Sequence, residues 1–303
     1  MFSTKTISKL NMLQVSKKNF GANEKALKMR IKSVGSIAKI TKAMKMVSSS
    51  KMKAEIVRLN RGKNFGHEGF EKIFVSDSYM QKMNLTRTKG NKVLYVPFTS
   101  DKGLCGGINT GIVREVKNTI QSSPNKDEAG IFVIGDKGAT ALRRPFPDTL
   151  KRGIHEIQTP INFTTVSSIA HEISLMADND NYDKIVLVYN TYKSAISSVI
   201  TKTELLPRRK FLDLYFYNRL YCKEIPDKNT SNPALYDLYL ASNLYSAQLN
   251  NLASEQSARM NAMGNASKNA QEIQDVLILD YNKARQARIT MELVEIISGA
   301  SAV

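Results

Sequence analysis

Residues 245–294 read "YSAQLNNLASEQSARMNAMGNASKNAQEIQDVLILDYNKARQARITMELV" and carry the longest regular pattern in the chain. Within this stretch, mostly apolar or small residues recur at alternating steps of four and three, which is the spacing of a coiled-coil seam. The predicted seam consists of Tyr245, Leu249, Leu252, Gln256, Arg259, Met263, Ala266, Ala270, Ile273, Leu277, Asp280, Ala284, Ala287, Met291 and Val294. Its polar members, Gln256, Arg259 and Asp280, either set the register of the helix pair or lie at an exposed edge.

The stretch belongs to a C-terminal coiled-coil helix predicted over residues 232–303. After Pro233 there is no further proline, and Gly264 is the only glycine before Gly299. A helix from about 234 to 297 would be on the order of 96 Å long, which exceeds the diameter of a small domain. We therefore expect it to project from the domain and to leave part of its surface for another chain.

A second helix is predicted near the N-terminus, over residues 22–75. No proline occurs between Glu24 and Arg61, and an apolar stripe runs from Leu27 to Val57. At 1.5 Å per residue this stretch spans about 57 Å. The two terminal helices are thus expected to meet as an antiparallel coiled coil in which the shorter covers only part of the longer.

The sequence between the helices predicts an α/β domain at residues 90–225. Short β-branched runs at 92–98, 130–135 and 183–190 are separated by helical patterns, which favours a parallel sheet. The predicted helices cover 107–121 and 165–177, and two further strands are predicted at 194–207 and 211–218. The fold class is therefore α/β plus long helices: an antiparallel coiled coil of the N- and C-terminal helices with an inserted α/β domain.

Charge is concentrated at one end of the chain. The net charge of the 303 residues is +17, and residues 1–66 hold 16 Lys/Arg against Glu24 and Glu55. The basic segment marks a local partner surface. Residues 1–21 contain lysines, serines and threonines but no acid, which is typical of an organellar presequence, although the usual arginines are missing. The alternative is a basic tail.

Other sequence features limit the chemistry that we expect. No stretch reaches the roughly 18–20 apolar residues of a membrane span. Two cysteines, Cys105 and Cys222, form neither a disulfide framework nor a metal-binding spacing. The histidines, His67, His155 and His171, are isolated from one another in the sequence. No catalytic residues, metal site or cofactor are predicted.

The glycine-rich segment "TSDKGLCGGINTG" (99–111) follows the first predicted strand and opens a helix, where phosphate-binding loops often lie. Its spacing matches neither GxxxxGK[ST] nor GxGxxG. A tight strand-to-helix turn is the favoured interpretation, and a nucleotide-binding Rossmann-like enzyme is the alternative.

The basic helix is compatible with three classes of partner. Nucleic acid would be attracted to the charge, but residues 24–58 contain no aromatic side chain on which bases could stack. A membrane surface would favour Trp or Phe on the apolar face, and neither is present there. An acidic protein surface fits best, and a coiled-coil nucleic-acid binder remains as an alternative.

Four blocks of sequence resemble the gamma subunit of F-type ATP synthase. They are "MRIKSVGSIAKITKAMKMVSSSKM" (29–52), "TSDKGLCGGIN" (99–109), "ASEQSARMNAMGNASKNA" (253–270) and "YNKARQARITMELVEIISGA" (281–300). The resemblance implies a Rossmann-like topology for the inserted domain and a central-stalk subunit that couples proton-driven rotation to ATP synthesis. The implied partners are the alpha and beta subunits, the small delta and epsilon stalk subunits and the c-ring. Nucleic acid is not among them, and the membrane is reached only through the complex.

The resemblance also implies roles for individual residues. Lys42, Met44 and Lys45 would face acid-rich loops of the beta subunits, although Met44 would equally serve packing. Arg259, Arg285, Gln286 and Thr290 would supply polar contacts to the catalytic subunits. The apolar tip, residues 293–303, would sit in a collar of the alpha/beta ring.

The foot-domain loop of the family corresponds to Asp101, Lys102, Gly103, Leu104, Cys105 and Gly106. The chloroplast form carries an inserted cysteine pair, whereas Cys222 stands alone here. Bacterial forms begin near "EKALKMRIKSV" (24–34), about twenty residues into this chain. Both differences favour a peripheral protein on the matrix side of the mitochondrial inner membrane.

Overall fold

The computed structural model describes residues 4–62, 92–122, 128–215 and 228–301. The chain divides into two compact units, Met1–Met46 with Met263–Val303, and Val47–Ala262. The elements are, in chain order, α1 (Thr4–Gly62), β1 (Val93–Pro97), α2 (Ile108–Ser122), β2 (Ala129–Ile134), α3 (Asp136–Arg143), β3 (Leu150–Ile154), α4 (Phe163–Asn179), β4 (Lys184–Tyr192), β5 (Ser198–Leu205), α5 (Arg208–Tyr215) and α6 (Lys228–Ala300).

The second unit is built on a five-stranded sheet in the order β3-β2-β1-β4-β5. Strands β1 to β4 are parallel, and β5 pairs with β4 antiparallel, Ile185 facing Leu205. Strand order reverses between β1 and β4, where the chain returns to the middle of the sheet through α4. This arrangement is the Rossmann-like topology that the resemblance implies.

Both faces of the sheet are covered, which explains the uninterrupted apolar runs in its strands. On one face, Leu94, Phe132 and Leu187 pack with residues of α4, α5 and α6. On the other face, Tyr95 and Val133 pack with residues of α2 and α3. Because alternate residues of one strand point to opposite faces, each buried strand contributes to both cores.

Close packing at β2 requires a residue without a side chain. A Cβ at Gly130 would lie 2.0 Å from the hydroxyl oxygen of Tyr182, which is buried against the sheet. At the other end of the strand, Gly135 has φ 103° and a Cβ there would lie 2.3 Å from the carbonyl oxygen of Thr99. The β2–α3 turn can therefore approach the end of β1 closely.

One predicted strand is wrong, and two short elements were not predicted. Residues 208–215 form helix α5 rather than the start of a strand at 211–218; residues 216–218 lie outside the described residues. The segment has no β-branched residue, and Phe211 packs its ring 5.3 Å from that of Tyr236 in α6. Helix α3 and strand β3 were missed because they are short. The sequence of β3, "LKRGI", also contains only one β-branched residue, so it carries little strand signal.

The first unit consists of α1 up to Met46 and α6 from Met263 onward, which run antiparallel. Glu24 pairs with Arg288 at 2.7 Å, and the Ser267 hydroxyl donates to the carbonyl oxygen of Ala38 at 3.4 Å. Gly35 leaves room for the side chain of Gln274. As the residue number rises along α1 it falls along α6. The predicted fold, two long terminal helices paired around an inserted α/β sheet, is confirmed.

The contact face of α6 differs from the predicted seam beyond Ala270. Ile273, Asp280 and Val294 are exposed, whereas their C-terminal neighbours are at least partly buried. The residues that follow the four-three spacing on the buried side are Ala270, Gln274, Leu277, Tyr281, Ala284, Arg288, Met291 and Glu295. The prediction is therefore wrong at Ile273, Asp280 and Val294, whereas the predicted Leu277, Ala284, Ala287 and Met291 are at least partly buried. At positions 273 and 294 it chose the more apolar of two neighbouring residues. Of the other two polar members of the predicted seam, Gln256 is partly buried and Arg259 is buried, so neither lies at an exposed edge.

Helix α1 ends at Gly62, so residues 63–75 of the predicted N-terminal helix lie outside the described residues. The C-terminal helix begins at Lys228, a few residues before the predicted start, with Pro233 inside it. The domain limits 1–21, 22–75, 90–225 and 232–303 stay predictions.

Candidate functional site

Two of the three predicted contact residues of α1 lie on its outer side. Lys42 and Lys45 are exposed, and Met44 is partly buried. The Lys45 side chain lies beside Gly264: its Cε would be 3.5 Å from a Cβ atom placed on that glycine, which is an ordinary van der Waals distance. Lys45 thus packs its stem along α6 while its charge remains accessible. The partial burial of Met44 leaves both of its predicted roles open.

The predicted polar contacts near the end of α6 also face outward. Arg285, Gln286 and Thr290 are exposed, and the Thr290 hydroxyl donates back to the carbonyl oxygen of Gln286 at 3.0 Å. Their neighbours Ala284 and Arg288 are partly buried. The side chains of Arg285 and Gln286 are therefore on the side of the helix that another chain can reach.

Large apolar side chains accompany these polar residues on the outer side of α6. The exposed set comprises Ile273, Val276, Ile278, Leu279, Ile289, Leu293, Val294, Ile296 and Ile297. Ile296 and Ile297 are 68% and 66% exposed. An apolar series of this extent marks a surface that is covered by a partner.

In the second unit, the loop Asp101–Gly106 follows β1 at the point where strand order reverses. The Ser100 hydroxyl donates to the carbonyl oxygen of Lys102 at 2.7 Å, and the Asn109 amide donates to the Ser100 hydroxyl at 2.7 Å and to Cys105 Sγ at 3.2 Å. Cys105 is only 2% exposed. The loop is therefore anchored to the start of α2 from inside.

Asp101 joins this loop to the ends of the neighbouring strands. Its carboxylate accepts one hydrogen bond from the backbone N–H of Asp136 at 3.0 Å and another from that of Glu156 at 3.1 Å. Asp136 opens α3, and Glu156 follows β3. Asp101 thus ties together the carboxyl ends of three strands, which is the edge where Rossmann-like domains usually bind their ligands.

Arg259 approaches the same loop from α6. Its guanidinium donates to the carbonyl oxygen of Gly103 at 3.3 Å, to that of Lys102 at 3.1 Å and to Glu255 Oε1 at 2.6 Å. Arg259 is 8% exposed. The structure thus brings one predicted contact residue together with the predicted loop. Whether Arg259 also contacts a beta subunit stays a prediction.

The loop contacts Arg259 through two backbone carbonyl oxygens, which are acceptors, whereas a phosphate-binding loop contacts its ligand through backbone N–H donors. Leu104 occupies the left-handed region with φ 63°, as does Gly106, also at φ 63°. Lys102 and Leu104 are the outward side chains of the loop, and Leu104 is 61% exposed. The loop therefore holds the side chains of Lys102 and Leu104 where another chain can contact them.

A group of carboxylates surrounds the Arg259 contact. Burial raises the pKa of Glu255; the Arg259 charge and hydrogen bond oppose this, and Asp101 and Glu55 add to it. Burial likewise raises the pKa of Glu55, against the Arg58 guanidinium, which donates to Glu55 Oε1 at 2.6 Å. Glu55 Oε2 is buried and has no hydrogen-bond partner among the described residues. Charges are therefore placed where water does not solvate them fully.

The Glu255–Arg259 pair was not singled out from the sequence, although its spacing of four residues is that of a helical ion pair. Its contact with a loop about 155 residues earlier has no local signal. Among the other candidates, His155 and His171 are exposed, and His67 and Cys222 lie outside the described residues. Within the described ranges, no group of three His, Cys, Asp or Glu residues could hold a metal ion. None of the described helices combines enough length and apolar character to cross a membrane.

A family model described as ATP synthase matches residues 23–303. The ATP synthase gamma chain of Rickettsia canadensis is 36% identical over 291 residues, covering 93% of this chain and all of the relative. That of Brevibacillus brevis is 38% identical over 286 residues, covering 91% of this chain and 97% of the relative.

Solved structures agree with these sequence matches. A chain from the central stalk/c-ring structure of the Tetrahymena thermophila mitochondrial ATP synthase is 48% identical, with a TM-score of 0.68. It covers 75% of this chain and 99% of its own length. A chain of the Euglena gracilis mitochondrial ATP synthase has a TM-score of 0.76 over 93% of this chain at 22% identity, which shows a shared fold.

The fold and its outward surfaces define a protein with two antiparallel terminal helices, an inserted Rossmann-like sheet and exposed surfaces that other chains can contact. The chain belongs to the ATP synthase gamma chain family. It acts as the rotor subunit in the central stalk of the synthase, coupling rotation to ATP synthesis.

Proposed function

We propose that this chain turns within a ring of alpha and beta subunits, rests on a c-ring beside the small delta and epsilon stalk subunits, and has no catalytic site of its own. In this proposal the chain transmits rotation and the beta subunits perform the chemistry. The outward position of Arg285, Gln286 and Thr290 on the helix pair is the observation that carries it.

Two kinds of contact are combined on the paired helices. Exposed charges such as Lys42, Lys45 and Arg285 are strong partners for acidic loops when water is excluded around them. Aliphatic side chains near the tip, such as Ile296 and Ile297, form no directed hydrogen bonds and so favour no single rotational angle. Charged contacts can thus receive a push from a catalytic subunit, while the apolar tip can slide.

The loop Asp101–Gly106 provides a further contact in this proposal. Lys102 and Leu104 point outward from a loop whose backbone is fixed by Asp101, Ser100 and Asn109. A fixed loop with one cation and one apolar side chain can bind a neighbouring subunit with little loss of conformational entropy. Arg259 is hydrogen-bonded to this loop, and contacts of Arg259 and Met44 with the beta subunits remain part of the proposal.

The location proposed is the matrix side of the mitochondrial inner membrane, with peripheral attachment through the complex. It is supported by the acid-free, lysine-rich residues 1–21, proposed as a presequence, and by the 48% identity to a mitochondrial relative. Recovery of the chain in synthase purified from inner mitochondrial membranes, at one copy per three beta subunits, tests this location.

The contact residues are tested by coupled ATP synthesis in assembled complexes that carry Arg285→Ala or Gln286→Ala. If each contact stabilises the rate-limiting transition state by about 1–2 kcal/mol, its loss would lower the synthesis rate by a factor of roughly 5–30. Lys268→Ala and Gln271→Ala are matched controls, because both residues are exposed on α6 further from its end. Wild-type rates in both test variants would reject the proposed contacts.

A further inference from the structure

The contact between α6 and the loop Asp101–Gly106 has a second consequence for the rotor. We propose that Arg259 and Glu255 are positioning residues that lock this loop to α6, so that loop and helix turn as one body. The part of this inference that concerns rotation rests on the proposed function. Arg259 then acts through the loop instead of by touching a catalytic subunit itself.

The geometry of the guanidinium supports this role. Arg259 is 8% exposed, and its donors reach two successive carbonyl oxygens, those of Lys102 and Gly103, as well as Glu255. A planar guanidinium can bind such a set in one orientation only, which a lysine ammonium cannot reproduce. The hydrogen bonds therefore specify the path of the backbone as well as holding it.

The backbone that Arg259 holds is conformationally demanding. Leu104 directly follows the two bound carbonyl groups and has φ 63°, a region that residues with a side chain rarely occupy. Such a conformation persists only where the surroundings over-determine it. Arg259 from one side and Asp101, Ser100 and Asn109 from the other provide those surroundings.

Glu255 completes the arrangement because it orients the guanidinium. It lies one helical turn before Arg259 and is 9% exposed, so its carboxylate fixes the arginine on the side of α6 that faces the loop. A structural ion pair on the helix surface would need no loop carbonyls. Here the arginine connects three partners at once, and the loop is the one that carries exposed side chains.

Cys105 offers a direct reporter of the locked state. Its thiol is 2% exposed and lies one residue beyond Leu104. Opening of the loop would expose the thiol, and its alkylation rate would follow the population of the open state. The substitution Cys222→Ser removes the other cysteine of the chain, so that alkylation reports Cys105 alone.

The experiment measures Cys105 alkylation in the purified full chain carrying Arg259→Lys or Glu255→Gln. We expect each variant to react at least about tenfold faster, as a shift of ~1.4 kcal/mol in the opening equilibrium would produce. Asn261→Ala is the matched control, because Asn261 on the same helix donates to Ala195 in a different loop, at 2.7 Å. Unchanged alkylation in both test variants would overturn the lock.

Coupled ATP synthesis by complexes assembled with the same chains tests the rotational part. We expect Arg259→Lys and Glu255→Gln to lower synthesis while Asn261→Ala keeps the wild-type rate. Faster alkylation with wild-type synthesis would overturn the positioning role and leave the proposed function intact. If Arg285→Ala and Gln286→Ala were silent while the lock variants lost synthesis, the proposed contacts would fail and the lock would stand.

Discussion

At the scale of single residues, Arg259 shows how a polar residue at a seam position of a helix can be buried and hydrogen-bonded. The spacing left open whether such a residue sets register or lies at an edge. In the folded chain Arg259 is buried and satisfied by backbone carbonyls and Glu255. It is held by charge-assisted hydrogen bonds, because an unpaired buried guanidinium would be strongly destabilising.

Glu55 leads to a prediction about pH. Burial raises its pKa above the ordinary value, so the folded chain binds a proton more readily than the unfolded chain. The free energy of unfolding should therefore fall as pH rises from about 4.5, the ordinary pKa, through the raised pKa of the folded chain. Glu55→Gln removes this contribution, since the amide does not titrate.

Thermal unfolding of the full chain between pH 7 and pH 5 measures the effect. Lowering the pH should stabilise the wild type relative to Glu55→Gln. Glu115→Gln provides a control, because its carboxylate, 36% exposed, forms a surface ion pair with Lys202. If the wild type and Glu55→Gln showed the same pH dependence, Glu55 would not be a source of it.

At the scale of elements, α6 carries apolar residues on two sides. One side faces α1, and the other includes Ile273, Val276 and Leu279, which are exposed within this chain. A helix that is apolar nearly all round is buried from several directions. This explains why hydrophobicity alone selected Ile273 for the seam although Gln274 lies against α1.

The contact face of α6 can be tested by comparing Leu277→Ala with Ile273→Ala. Leu277 is partly buried in the helix pair, so we expect its truncation to lower the free energy of unfolding by about 1–3 kcal/mol. Ile273 is 52% exposed, and Ile273→Ala should change it by no more than about 0.5 kcal/mol. Denaturant unfolding of the full chain followed by circular dichroism measures both. A larger loss for Ile273→Ala would mean that the contact face has been assigned incorrectly.

At the scale of the whole molecule, both charge and exposed apolar surface are unevenly distributed. The first 66 residues hold 16 of the 44 basic side chains but only two of the 27 acidic ones. Exposed aliphatic residues recur along the last thirty residues of α6. Such a molecule is expected to function within a complex, because its exposed apolar surface is shielded from water only when partners cover it.

The isolated full chain should therefore self-associate through its tip. The triple substitution Leu293→Ser, Ile296→Ser and Ile297→Ser should reduce association without lowering helix content, since these side chains are exposed. Sedimentation measures association, and circular dichroism measures helix content. The polar triple Asn265→Ser, Asn269→Ser and Gln271→Ser on the same helix serves as the control. Equal association in the wild type and the tip variant would show that self-association does not occur through the tip.

Much of the fold could be predicted from local patterns. The long helices follow from the lack of proline and the regular apolar spacing, and β1, β2 and β4 follow from short β-branched runs. The segment "FLDLYFYN" (211–218) misled because aromatic residues are common in strands, yet here Phe211 packs in a helix against α6. Element type in such a short segment is decided by what it packs against.

The sequence alone determined that the chain has two long terminal helices, an α/β middle and one strongly basic end, because periodicity and charge are properties of neighbouring residues. The tertiary structure alone decided which side of α6 meets α1, and that Arg259 binds the loop after β1. These contacts join residues far apart in the chain. Burial by a neighbouring segment and burial by another protein require the same apolar side chains, so only the folded arrangement distinguishes them.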